Sequence, residues 1–327
     1  MAVIIQPIQN LRALAISAVV LTHVAGEFLA GADGQPHLSL NEVNISFTFV
    51  AGFLFRATAF DDSYFQFIRR RAKNILVPYI CISLPALVAY VTGMKTHPHL
   101  DLSAHQGVTL FIFLLYTGAH LGPLWFVPMI FTLYLCVPLF KLVDRSNLAY
   151  LVTIAGGLVL AMGPVVRPQH DAAPIQAAIH YAPVFLLGMA CSRNFDALVE
   201  FVSLRPGWTA WAFGAAIAFN LMVEDDLNYL AKILLLLAIF LVLSIMSLPA
   251  GLERMMTAMA TRSFGIFLIH GYLIAMLRIA HDRGLVGGDW ALPTCVAVSA
   301  LVILCCSAIL QGAKRVLASR SRLAVGY

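Results

Sequence analysis

Charged side chains are scarce in this chain. Asp, Glu, Lys and Arg supply 11% of its 327 residues, hydrophobic residues supply 61%, and the mean hydropathy is +0.86. That balance excludes an ordinary soluble globular protein. Long polar insertions are also missing, so the composition describes one integral membrane domain over residues 1–327, with no appended soluble domain. No repeat or heptad array is present, which removes solenoids and coiled coils. The six cysteines form no CxxC and no Cys/His ligand spacing, so neither a disulfide framework nor a metal site is expected. The net charge of +5 is not gathered into a basic patch with interleaved aromatics, which argues against nucleic acid as a partner. The first apolar stretch lacks a Lys/Arg-rich leader and a small-residue cleavage site, and reads as a retained helix rather than a signal peptide.

What the chain does contain is a series of apolar runs of membrane-spanning length. They lie near 10–30, 42–60, 75–94, 122–140, 147–166, 173–191, 206–223, 228–248, 262–281 and 289–311. The expectation is an all-α, polytopic bundle of about ten transmembrane helices in contact with membrane lipids. The second run is polar on one side through Asn41, Glu42, Asn44, Ser46 and Thr48, as suits a helix facing the bundle interior. Residues 107–119 are apolar but short, and predict an interfacial or re-entrant piece. Counting Lys and Arg on alternate sides puts Lys95, Arg167, Lys232, Arg278 and Arg283 on one side and the remaining sixteen of 21 with the N-terminus. Both termini are therefore expected in the cytoplasm. The opposite loops carry Asp33, the histidines at 97, 99 and 105, and Glu224-Asp225-Asp226. The histidine spacing matches no specific metal site and reads as solvated loop.

Within these runs a few polar residues stand out. Arg12 and His23 lie on one face of the first helix, three turns and about 16 Å apart, which carries His23 toward the midplane. An ionisable group there is costly enough to suggest function. Glu27 follows His23 at i+4, where it could orient the imidazole and raise its basicity. The run Arg69-Arg70-Arg71-Ala72-Lys73 feeds into the third span, and its arginine forks suit phosphate. Ser263 to His270 places a second histidine about 12 Å beyond Arg262, a depth comparable to that of His23. His180 is a third histidine at mid-depth. Gly122-Pro-Leu-Trp125-Phe-Val-Pro is by itself compatible with an aromatic belt and ordinary proline kinks.

Taken in order, these segments resemble the acyltransferase-3 family of bacterial integral-membrane O-acyltransferases. Asn10-Leu-Arg12 through Leu21-Thr-His23 is similar to its arginine and histidine signature. Phe47-Thr-Phe-Val-Ala-Gly52-Phe-Leu is similar to its Ser-Gly-Phe segment, with Ala51 for serine. Arg71 to Tyr79 is similar to its basic segment ending in Pro-Tyr, with Asn74 where many members carry arginine. Leu124-Trp125-Phe126 and Ser263 to His270 match two further patterns, with Phe264 and Phe267 in place of tyrosines.

The resemblance implies about ten membrane helices in a bacterial inner membrane. It also implies acyl-CoA as the cytoplasmic donor, acetyl-CoA being the simplest case, and a saccharide or lipid-linked saccharide of the cell envelope as acceptor. Carried onto this chain, it makes Arg12 and His23 functional. The expected reaction moves a short acyl group to a sugar hydroxyl, with His23 as base, Glu27 orienting it and His270 as a second polar partner. Arg69, Arg70, Arg71 and Lys73 would hold the donor, and Trp125, Ser263 and His180 would contact substrate. The rival reading is a transporter or exporter of a sugar or lipid-linked sugar. It predicts two pseudo-symmetric halves with broken helices, which the sequence does not show.

Overall fold

The computed structural model describes residues 5–29, 45–97, 100–168, 173–223, 227–286 and 290–327. Asp33, the Asn41, Glu42 and Asn44 portion of the second expected span, His99 and Glu224–Asp226 lie outside them. In chain order the helices are α1 (Gln6–Phe28), α2 (Ile45–Thr58), α3 (Tyr64–Arg71), a π-turn (Ala72–Leu76), α4 (Val77–Val91), α5 (Gly107–Thr117), a 3₁₀ turn (Gly122–Trp125), α6 (Phe126–Leu135), α7 (Val137–Val143) and α8 (Asn147–Met162). They continue with α9 (Pro174–Arg193), α10 (Phe195–Ser203), α11 (Pro206–Met222), α12 (Asn228–Ile245), α13 (Ala250–Asp282), α14 (Leu292–Leu317) and α15 (Ser321–Val325). The architecture is an all-α membrane bundle.

Among the described residues, six continuous stretches are long and apolar enough to cross a membrane: α1, Tyr64–Val91, α9, α12, α13 and α14. The pair Gly107–Thr117 and Gly122–Leu135, bent by 73°, makes a seventh if it is one span. This corrects the expected ten. Three expected spans are helices of 14, 16 and 17 residues, α2, α8 and α11, or about 21–26 Å of rise against a hydrocarbon core of about 30 Å. Hydropathy runs on past the end of α8, but the helix does not. In α8 it stops before Gly163-Pro164, where proline disfavours a helical residue ahead of it. The expected span at 122–140 is likewise cut at Cys136, between α6 and α7.

Lipid tails are as apolar as leucine, so close backbone approach has to hold such a bundle together. It does so most visibly between α2 and α9. A Cβ on Gly52 would run into the carbonyl oxygen of Phe185, and one on Gly188 into that of Phe49. Around this crossing Phe49, Phe53 and Phe240 meet at ring distances of 5.1–6.4 Å. A carboxylate ties the same helices to the next: Asp144 accepts from Arg56 at 2.9 Å and from the Tyr150 hydroxyl at 2.8 Å, and pairs with Arg193 at 3.4 Å. Arg12, Arg71 and Arg262 lie at this same end of the bundle, here called the basic end.

The bent pair needs its backbone satisfied, because water is absent at that depth. Gly118 ends α5 in a left-handed conformation (φ +75°), and a Cβ there would stand 2.6 Å from the Trp125 backbone. Side chains supply donors to the carbonyls at the break: Tyr79 Oη donates to Leu115 O at 2.6 Å, and His120 Nδ1 donates at 2.9 Å to Leu114 O, which also accepts from Gly118 N–H. The break thereby sets Trp125, 3% exposed, inside the bundle.

α1 and α13 run parallel, in one register along their length. Gln6 reaches Thr257 at 3.2 Å, Arg12 reaches Ser263 at 3.0 Å, the rings of His23 and His270 lie 5.4 Å apart, and those of Phe28 and His281 5.6 Å. This pair of helices carries the site.

Candidate active site

Pro7 in the first turn of α1 has no N–H to leave unsatisfied, so the helix starts cleanly and runs unbroken through His23. The histidine projects toward α13, where His270 is fully buried. His270 Nδ1 lies 3.0 Å from the Ile266 carbonyl, a geometry that requires the proton on Nδ1 and leaves Nε2 with its lone pair. That Nε2 is buried and has no hydrogen-bond partner. The two imidazoles are tilted by 46°, and His23 is only half-buried. Phe267, 5.9 Å from His270, and Phe126, 5.5 Å from Phe267, close the apolar side. The result is an unsatisfied base beside a second imidazole, with aromatic rings along one side.

Toward the basic end, Arg12 donates to Ser263 Oγ at 3.0 Å and to Gln9 Oε1 at 3.5 Å. Ser263, 1% exposed, in turn donates to Ala260 O. Both partners of this guanidinium are neutral. Tyr134 is close enough to act on Arg12 electrostatically, and its ring also faces Arg71, which lies 5.2 Å from it and 5.1 Å from Phe67. Arg71 Nε is buried without a hydrogen-bond partner. Of the neighbouring cations, Arg70 pairs with Asp62, whereas Arg69 and Lys73 are exposed. A cavity of about 80 Å³, with Phe67 and Lys141 among its lining residues, opens next to them. Tyr327 closes over Arg262, 5.8 Å from its ring, and Lys314, at 4.6 Å. The proximity of Arg262 and of the two positive charges holds its phenol below the ordinary value.

At the other end the side chains differ. Glu27 pairs with Arg278 at 3.2 Å, both partners well exposed, so its carboxylate is drawn away from the imidazole it was expected to orient. The His180 ring lies 4.3 Å from that of Tyr229, tilted by 37°, and its Nδ1 is 3.0 Å from the Val165 carbonyl; its neighbour Tyr181 has its ring 5.9 Å from that of Trp125. The guanidinium of Arg167 lies 4.9 Å over the Trp125 ring. Lys95 donates to the His120 carbonyl at 3.3 Å, and burial, with Arg278 nearby, lowers its ammonium below the ordinary value.

The family model described as an acyltransferase domain, acyltransferase-3, matches residues 6–311. The chain belongs to the acyltransferase-3 family. No curated protein and no solved structure matches it. As a member of this family it is a multi-pass membrane acyltransferase, an enzyme that moves acyl groups other than aminoacyl groups.

Set in this acyltransferase, the expected residues separate into groups. Arg12 and Ser263 are bonded, His23 and His270 are adjacent, and Trp125 is near them by way of Phe126. Arg71 joins Arg12 through Tyr134. Glu27 and His180 sit apart. Sequence reasoning did not single out Tyr134, Arg167 or His120. Tyr134 and His120 carry no local signal. Arg167 had one, as an arginine on the side where arginines are few.

Proposed function

We propose that the protein moves an acetyl or other short acyl group from coenzyme A to a hydroxyl of a cell-envelope saccharide, at the inner membrane of a bacterium. The observation that carries this is the buried, unpartnered Nε2 of His270 beside His23. Two imidazoles so placed can hold a hydroxyl between them and receive its proton. The alkoxide oxygen then bonds to the thioester carbonyl carbon, and the carbon–sulfur bond breaks. The proton passes from the histidine to the leaving thiolate, so that ester and free thiol form with no net proton change. Arg12 lies three turns away on an unbroken helix, about 16 Å by rise. That separation excludes it from the reacting carbonyl and assigns it to an anionic part of the donor, together with Arg71 and the cations of α3. Two half-buried guanidiniums with only neutral partners are costly in an empty site and favourable against phosphate.

On this reading the basic end faces the cytoplasm, as the excess of Lys and Arg there requires. The chain reaches that end with both Gln6 and Tyr327, which contact Thr257 and Arg262 of α13. The meeting of the two ends of the chain there supports a single domain with both termini inside. The short helices would thin the bilayer locally or sit behind their neighbours.

The test uses labelled acyl-CoA and purified protein. His23→Ala should keep the thermal midpoint of the wild type and lower transfer and free-thiol release by about 10²–10⁴-fold. Undiminished transfer in that variant would overturn the assignment.

A further inference from the structure

Arg262, on α13, is half-buried, and its Nε is buried without a hydrogen-bond partner. Lys314, in the last turn of α14, is exposed. Among the described residues neither is paired with a carboxylate. What they share is the ring of Tyr327, 5.8 Å from the guanidinium and 4.6 Å from the ammonium. That ring is held from several sides. α15 packs on α4, on the π-turn that follows Arg71, and on α13 and α14. The Ser321 hydroxyl donates to the Tyr327 main-chain oxygen at 2.6 Å. Gly326 (φ +73°) lies so close to α13 that a Cβ there would stand 2.7 Å from the Phe264 ring. An aromatic ring attracts cations without neutralising them. Two positive charges are therefore gathered about one fixed ring, with their charge still available, at a surface that water reaches.

The order of groups along α1 and α13 points to the anion that fits here. From the far end toward the basic end come His23 and His270, then Arg12 bonded to Ser263, then Arg262. Coenzyme A has the same order: the thioester, an uncharged pantetheine arm, a diphosphate and, on the ribose beyond it, a 3′-phosphate. We propose that Arg262 and Lys314, positioned by Tyr327, bind the 3′-phosphate of the donor, while Arg12 and Arg71 take its diphosphate. The proposal rests on the acyl-CoA reading above and deepens it, because it makes the enzyme selective for the complete nucleotide end of coenzyme A. A phosphate monoester carries a charge of about −1.5 to −2 at pH 7 and accepts from guanidinium and ammonium alike. A donor with the same arm but no 3′-phosphate would satisfy Arg12 and reach the histidines, yet leave this pair without its match.

The test titrates coenzyme A and dephospho-coenzyme A, which lacks only the 3′-phosphate, into the full-length protein in detergent by calorimetry. Coenzyme A should bind about tenfold more tightly, equivalent to about 1.4 kcal/mol. The double variant Arg262→Gln/Lys314→Gln should bring that preference below about twofold by weakening coenzyme A alone, and its unchanged affinity for dephospho-coenzyme A shows that it is folded. Tyr327→Leu should lower the preference to about threefold, and Tyr327→Phe, which keeps the ring, should retain it. Arg12→Gln should weaken both ligands and leave their ratio as it was. Equal binding of the two ligands by the wild type, or an undiminished preference in the double variant, overturns the proposal and leaves the donor reading in place. Binding of neither overturns both. Free-thiol release from acetyl-CoA is followed separately in membrane vesicles that contain the protein. Selective binding without release leaves the 3′-phosphate assignment standing and removes the acyl-transfer reading.

Discussion

Arg56 and Arg193 converge on the buried carboxylate of Asp144, which also accepts from Tyr150, while Arg12 and Arg71, at the same end of the bundle, meet only hydroxyl, amide and ring partners. The first set is closed. Its charge is answered within the protein, and it joins the ends of α2, α8 and α9. The second set is open, with a buried Nε that has no hydrogen-bond partner. Arginines of similar burial thus divide into a clasp and a receptor. What separates them is the carboxylate, which a count of basic residues does not register.

The comparison can be broken most forcefully at Asp144. Asp144→Ala would strand two guanidiniums, with an expected loss of about 3–5 kcal/mol read as a lower thermal midpoint in detergent, while the KM for acyl-CoA of the folded fraction stays near that of the wild type. A midpoint that does not move would mean that the clasp is ornamental. Arg12→Gln should give the opposite pattern. Its KM for acyl-CoA should rise about tenfold or more, equivalent to about 1.4 kcal/mol, and its midpoint should shift far less than in Asp144→Ala. If Arg12→Gln instead unfolds the protein with donor affinity unaltered, the two sets of arginines exchange roles. The exposed Glu27–Arg278 pair supplies the control at the far end: Arg278→Gln should cost within about 1 kcal/mol, measurable as a small midpoint change that vanishes in high salt.

Depth along a helix was legible in the sequence because rise per residue is uniform. Eleven residues from Arg12 and eight from Arg262 bring two histidines to comparable depths, about 16 and 12 Å by rise, and the parallel run of α1 and α13 brings them into contact. Helix length was less legible. Hydropathy does not register Gly163-Pro164 or the break at Cys136, where backbone geometry, not polarity, ends the helix. The reach of Glu27 to Arg278 rather than to His23 was hidden because the partner lies 251 residues away. The same holds for Tyr134, which belongs to the site only through the packing of α6 on α3 and α1's neighbour Arg71.

The crossing of α2 and α9 has a mechanical consequence. Each helix seats a carbonyl in the notch left by the other's glycine, Gly52 or Gly188, and the positions on either side, Ala51, Phe53, Leu187 and Met189, all carry side chains. A slip of one residue in either direction would drive oxygen into carbon, so these two helices form a single stave that cannot shear. Any movement that lets an acceptor in or an ester out is carried by the joints around it.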